Sequence, residues 1–175
     1  MRRKITMACL ILSAFLLQTT VFQYFKIASV TPNLLLILTS AFGLMQGKKE
    51  GLWTGFFCGL MIDLFYGSLF GFYALLYMYI GYLNGFFYQV FYDEDIKVPI
   101  VLVAGSDLLY SILMYIFQFM LRVRLHFLDY LSHIILPEMV YTVVISLIAY
   151  RLLYLINRKL TENEREGQQS PWLRR

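Results

Sequence analysis

Charged side chains are scarce in this chain: Asp, Glu, Lys and Arg together make up 15% of its 175 residues. Soluble globular domains carry about 25% charged and about 45–50% apolar residues. Here the hydrophobic share is 59% and the mean hydropathy is +0.64. Too few polar residues remain to cover a water-facing surface, so the composition excludes a soluble globular domain and predicts an integral membrane protein.

Cysteine and histidine are rarer still, with two of each. Cys9 and Cys58 lie in apolar runs and form no CxxC pair, which gives no support to a disulfide framework or a zinc site. We expect both to be buried packing residues. His126 and His133 have no specific metal-ligand spacing, and the HExxH and GxSxG motifs are missing. We therefore expect no catalytic residue, no metal and no cofactor.

Apolar stretches separated by short polar turns follow one another along the chain. A membrane-spanning helix needs about 20 residues, so the pattern predicts an all-α integral membrane protein with about six transmembrane helices. The second and third stretches are short, and they could be a tight helical hairpin, tilted helices or re-entrant segments. The stretches cover residues 5–25, 32–46, 51–66, 69–91, 98–121 and 133–156.

Basic residues lie at the ends of these stretches rather than on one stripe, which disfavours nucleic-acid binding. With six spans both termini lie on one side of the membrane. Placing them in the cytoplasm puts 12 of the 15 Lys and Arg residues inside and leaves Lys26, Arg122 and Arg124 outside. The positive-inside rule therefore predicts a multi-pass protein of the plasma membrane with cytoplasmic termini. Residues 1–157 form the membrane domain, and residues 158–175 form a polar cytoplasmic tail.

Glycine recurs at helical spacing in the third and fourth stretches. Small faces of this kind let membrane helices approach closely. The contact is either internal or with a partner, and spacing alone favours internal packing. Asn84, between two of the glycines, is placed to form an interhelical hydrogen bond. The candidate packing or partner interface consists of Gly51, Gly55, Gly59, Gly81 and Gly85.

Polar groups inside the apolar stretches are the other candidates for function. They are the carboxylates Asp63, Asp107 and Glu138, with the deep tyrosines Tyr77 and Tyr79. Carboxylates in a bilayer are costly unless they are paired, protonated or facing water. Pairing of Asp63 or Glu138 with Arg122 or Arg124, and of Asp107 with hydroxyl groups, is the favoured explanation. A proton or ligand site is the alternative. Both tyrosines need a hydroxyl partner.

A family resemblance rests on residues 32–85, about a third of the chain. This stretch resembles the bacterial rod shape-determining MreD family. The matching positions are Pro32, Asn33, Gly43, Gly47, Glu50, Gly51, Gly55, Gly59, Asp63, Gly71, Gly81, Tyr82 and Gly85.

The resemblance implies a non-enzymatic scaffold of the cell-elongation machinery. Such a protein acts with the bitopic protein MreC. Both are linked to cytoplasmic MreB filaments and to the polymerase and transpeptidase that build the lateral wall. The glycine faces then become helix-docking surfaces, and the interior is collapsed.

The family's fold is thought to be similar to that of the substrate-binding subunits of energy-coupling-factor transporters. The alternative function is therefore a small-molecule, vitamin-type binding subunit. That function requires a pocket on the outer side, which Asp63, Tyr66, Tyr73 and Glu138 could line.

Overall fold

The computed structural model describes residues 2–25, 30–67, 69–90, 97–120 and 131–169. Within these ranges the chain is all-helical, as predicted, and contains six main helices and no strand. The helices are α1 (Arg2–Leu16, continued by a π-helical turn, Leu17–Val21, and by Phe22–Tyr24), α2 (Leu34–Gln46), α3 (Lys48–Tyr66), α4 (Phe72–Asn84, continued by the 3₁₀ segment Gly85–Val90), α5 (Lys97–Met120) and α6 (Leu136–Gln169, preceded by the π-helical turn Leu131–Ile135).

Three helical segments among the described residues are long and apolar enough to cross a membrane. They are Ile5–Tyr24, Lys97–Phe117 and Leu131–Lys159, each with a mean hydropathy of 2.0. In the most apolar 18 residues of each segment, only 11%, 28% and 22%, respectively, is buried inside the protein. Apolar surface of this extent needs lipid around it. The chain is therefore a transmembrane protein.

Helix α2 is the centre of the bundle. Every residue from Leu35 to Met45 is buried, and α2 contacts all five other helices. A helix that is apolar on all sides is stable only when protein or lipid surrounds it. At about 1.5 Å per residue its 13 residues extend for about 20 Å, which is less than the roughly 30 Å of a hydrocarbon core. The other helices, rather than lipid, cover its sides.

A single residue, Gly47, joins α2 to α3. Its φ of 91° lies in the left-handed region that favours glycine. Its amide donates to the carbonyl oxygen of Gly43 at 2.9 Å, and its own carbonyl accepts from Gly51 at 2.9 Å. The two short apolar stretches therefore form a tight helical hairpin, one of the predicted arrangements.

The two cysteines, both predicted to be buried, differ in their exposure. Cys58 is fully buried, as predicted. The prediction for Cys9 is wrong, because Cys9 is exposed. The buried residues Ile11 and Phe15 define the inner face of α1. Cys9 lies two positions before Ile11, about 200° around a helix of 3.6 residues per turn, and therefore on the outer face.

The polar segment that begins at residue 158 continues the last helix of the bundle. Helix α6 runs through it as far as Gln169. The apolar segment of α6 ends at Lys159, so the last turns of the helix extend beyond the apolar part.

Candidate functional site

The glycine face of α3 lies directly against the backbone of α4. A Cβ atom built on Gly55 would be 2.6 Å from the carbonyl carbon of Tyr77. One built on Gly59 would be 2.6 Å from the carbonyl carbon of Tyr73. Real side chains essentially never approach backbone so closely, so only glycine fits at these positions. This face is occupied inside the chain and offers no surface to another protein.

The glycines of α4 complete the same contact from the other side. A Cβ on Gly81 would lie 2.7 Å from the carbonyl carbon of Gly51, and one on Gly85 would lie 2.8 Å from that of Gly47. Gly51 also faces α2, because a Cβ on Gly51 would lie 2.7 Å from the Cα of Gly43. Both glycine motifs therefore form one interior contact that joins α2, α3 and α4.

Asp63, near the end of α3, caps the start of α4. Its carboxylate oxygens accept hydrogen bonds from the backbone amides of Tyr73, at 3.1 Å, and Ala74, at 2.8 Å. The first amides of a helix have no partner within the helix, and the helix dipole favours a negative charge there. Gly71, which precedes α4, has no side chain that could accept hydrogen bonds from these amides. Asp63 is thus a structural tie, and its predicted partners Arg122 and Arg124 lie outside the described residues.

Asn33 joins three helices at one end of the bundle. Its side-chain oxygen accepts from the amide of Leu36, at 3.1 Å, which caps α2, and from the hydroxyl of Tyr77, at 2.8 Å. Its backbone amide donates to the Thr142 hydroxyl of α6 at 3.3 Å. The predicted partner for Tyr77 is therefore confirmed. Tyr79 instead lies on the outer surface of α4, with 59% of its area exposed.

Asn84 forms the predicted interhelical hydrogen bonds. Its side-chain amide donates to the hydroxyls of Ser106, at 2.7 Å, and Ser40, at 3.3 Å, and to the carbonyl of Ile80 at 3.0 Å. The residue is buried, so these bonds satisfy a polar group that would otherwise be costly. They tie α4 to α2 and α5.

A cavity with mostly polar walls, about 290 Å³ in volume, lies where α1 and α3 end and α2, α4 and α6 begin. We call it the polar cavity. Tyr66, Tyr73 and Glu138 line it, as the carrier alternative requires, whereas Asp63 does not. The interior is thus not fully collapsed. The full lining is Gln18, Thr19, Gln23, Thr31, Asn33, Ile62, Tyr66, Tyr73, Tyr77, Tyr110 and Glu138.

Asp107 lies deeper in the bundle, on α5. It is completely buried, and neither carboxylate oxygen has a hydrogen-bond partner among the described residues. Thr142, on α6, lies beside it. The predicted satisfaction of Asp107 by hydroxyl groups is therefore incomplete. Asp63, by contrast, has its own hydrogen-bond partners at the start of α4.

A second, larger depression lies between α1 and α3, at about 610 Å³. We call it the α1–α3 groove. Its walls are apolar except for Glu50 and Thr54. Thr54 is 3% exposed, and its hydroxyl has no hydrogen-bond partner among the described residues. The groove is lined by Met7, Ala8, Ile11, Leu12, Glu50, Trp53, Thr54, Phe57 and Met61.

Sequence reasoning named Asn33 only as a position matching the family and missed its capping role, and it missed Tyr110 and the groove. The signal for Asn33 was present, because an asparagine immediately before an apolar helix is a typical N-cap. No local pattern marks the groove, because its walls come from two helices that are not neighbours in sequence. In the part of the chain that is described, no three His, Cys, Asp or Glu side chains gather as metal ligands.

Comparison with known families gives one match. A family model described as rod shape-determining protein MreD matches residues 1–163. The comparisons with curated proteins and with solved structures found no match. The match confirms the resemblance noted in residues 32–85 and extends it over nearly the whole chain.

Proposed function

This chain belongs to the MreD family of rod shape-determining proteins, and we propose that it acts as a non-enzymatic membrane scaffold of the cell-elongation machinery. It binds MreC in this role. Together they connect cytoplasmic MreB filaments to the polymerase and transpeptidase that build lateral-wall peptidoglycan. The observation that carries the proposal is the family match over residues 1–163, because that family is one of shape-determining structural proteins.

The proposed topology has six spans with both termini in the cytoplasm. One end of the bundle gathers basic residues: Lys48 and Lys49 begin α3 there, and both are exposed. Gln46, at the end of α2, donates a hydrogen bond to Asn157 of α6 at 2.7 Å, which brings Lys159 to the same end. By the positive-inside rule this end faces the cytoplasm. The polar cavity, at the opposite end, then opens outward.

The surface that we assign to MreC is the α1–α3 groove. Residues 50, 53, 54, 57 and 61 of α3 recur at the spacing of a stripe that packs against another helix. This stripe runs for about 16 Å along α3. Trp53 and Phe57 are both about half exposed, with ring centroids 6.2 Å apart, and present a broad apolar wall. A single apolar helix fits such a groove.

One polar group in the groove, Glu50, favours a helix over lipid chains as its occupant. Glu50 lies at the end that the proposed topology places in the cytoplasm. A bitopic helix carries basic residues at its cytoplasmic end, which would be complementary to Glu50. The bitopic MreC matches this description.

Site-specific photo-crosslinking tests the assignment. The chain would be co-expressed with the MreC encoded in the same genome, with a photoreactive amino acid at Leu12 or Phe57. Matched controls carry it at Leu75 or Val144, which are exposed on other helices. We expect MreC adducts from the groove positions only. Adducts from all four positions, or from the controls alone, would rule out the groove as the docking surface.

A carrier function is the second candidate, and the polar cavity is the observation that favours it. A small-molecule binding subunit needs a cleft with a few converging polar groups. The cavity provides amides, hydroxyls and one carboxylate. Purification of a transporter-type subunit would retain an ATPase pair and a membrane coupling protein. Retention of those proteins in place of MreC would favour the carrier function.

A further inference from the structure

The polar cavity is lined by side chains that suit a cation. Four of its residues are tyrosines, one is a glutamate, and none of its described lining residues is Lys, Arg or His. Carboxylates and tyrosine ring faces both attract positive charge. We propose that the cavity binds a small organic ammonium ion, either a free molecule or the headgroup of a lipid. This inference goes beyond the scaffold function and does not depend on MreC.

The aromatic part of the site is held in place before any ligand arrives. Tyr77 and Tyr110 pack edge to face, with centroids 5.6 Å apart and an interplanar angle of 71°. The hydrogen bond from Tyr77 to Asn33 fixes the first ring, and Asn33 is itself held by Leu36. Aromatic walls around an ammonium group are a recurring way of binding such ions. Pre-organised walls of this kind lower the cost of binding.

The acidic side chain of the cavity, Glu138, has no Lys, Arg or His beside it among the described lining residues. Glu138 lines the cavity, and Asp107 lies on α5, which packs against the helix that carries Glu138. The oxygens of Asp107 have no hydrogen-bond partner among the described residues. Carboxylates inside a bundle need a compensating partner. An ammonium ion beside Glu138 would be such a partner.

The size and position of the cavity limit the ligand. Its volume of about 290 Å³ is near the lower end of the roughly 300–1,000 Å³ of small-molecule sites. A molecule of the size of choline or ethanolamine fits this volume, whereas a large cofactor does not. In the proposed topology the cavity opens near the outer membrane–water interface. Lipid headgroups and free amines both reach that depth.

The test uses the purified full-length chain in detergent, without MreC. Choline chloride is the probe, and 3,3-dimethylbutan-1-ol, its uncharged isostere, is the matched control, with sodium chloride at equal ionic strength. We expect choline alone to raise the unfolding temperature in a saturable way. Glu138→Gln keeps the side-chain shape and should weaken choline binding roughly tenfold or more. Tyr110→Leu removes one ring and should weaken it as well.

Three results would overturn the proposal: no stabilisation by choline, equal stabilisation by the uncharged isostere, or unchanged choline binding by both variants.

Lipid nanodiscs identify the source of the ammonium group. Weaker choline binding in phosphatidylethanolamine than in an uncharged glycolipid, which has no ammonium group and no surface charge, means that a lipid headgroup competes for the site, and equal binding means a free ligand. Because MreC is absent from the assay, its failure would leave the scaffold proposal standing, and failure of MreC binding would not affect this one.

Discussion

Substitution of Gly55 by alanine should destabilise the protein, although alanine is the better helix former. The added methyl group would lie 2.6 Å from the carbonyl carbon of Tyr77 and 2.9 Å from the amide nitrogen of Met78, whereas ordinary contact begins at 3.4 Å. Both atoms are backbone, so no side-chain rotation relieves the overlap. Helices α3 and α4 must separate by at least the difference between 2.6 and 3.4 Å, about 0.8 Å, because the carbonyl oxygen of Tyr77 lies closer still.

The magnitude follows from two opposing terms. Overpacking of an interior contact costs about 1–3 kcal/mol. We expect the upper part of that range, because separation also loosens the contacts at Gly51 and Gly59. Alanine recovers about 1 kcal/mol of helix propensity relative to glycine. The net loss is therefore about 1–2 kcal/mol. Gly105→Ala is the matched control, because a Cβ at Gly105 meets nothing within 4 Å.

Cys58 provides the assay. It is buried on α3, one turn from Gly55, and it is the only thiol left after Cys9→Ser, since the chain has two cysteines. A fluorogenic maleimide then reports the exposure of Cys58 as the detergent-solubilised protein is heated. We expect Gly55→Ala to label at a temperature several degrees below wild type and Gly105→Ala to match or exceed it. If Gly55→Ala labels no earlier than Gly105→Ala, the α3–α4 backbone contact is not as described.

The same assay tests three polar groups. Asp63→Asn removes the charge and one acceptor from the α4 cap and should cost about 1–2 kcal/mol, whereas unchanged labelling would refute the capping role. Tyr77→Phe loses the hydrogen bond to Asn33 and should cost about 1 kcal/mol, while Tyr79→Phe, on the exposed face, should cost nothing; equal effects would contradict the distinction. Asn84→Ala breaks the ties to α2 and α5 and should cost about 1 kcal/mol or more, and a variant as stable as wild type would show that these bonds are dispensable.

Much of the fold is predictable because its signals are local. Apolar stretches and short turns predict the helices, and glycines at four-residue spacing predict a close helix contact. Helix boundaries differ where backbone geometry intervenes: hydropathy predicts the fourth stretch from residue 69, but α4 begins at Phe72, after Gly71 with its φ of 93°. Hydropathy does not register such a turn.

The parts that escaped prediction depend on residues far apart in sequence. The central position of α2 follows from contacts with all the other helices, including the bond between Gln46 and Asn157, 111 positions apart. The sequence marks Asp63 as a costly intramembrane charge. It does not reveal that the amides at the start of α4 satisfy it. The polar cavity likewise forms only where five helix ends and Tyr110 of α5 converge.

The most direct test of the scaffold function is affinity purification of the tagged chain, in mild detergent, from a rod-shaped bacterial host. Mass spectrometry then identifies the proteins retained. We expect MreC in near-equal amount, with the elongation polymerase and transpeptidase at lower yield. Recovery of an ATPase pair with its membrane coupling subunit, and no MreC, would contradict the scaffold function and favour the carrier.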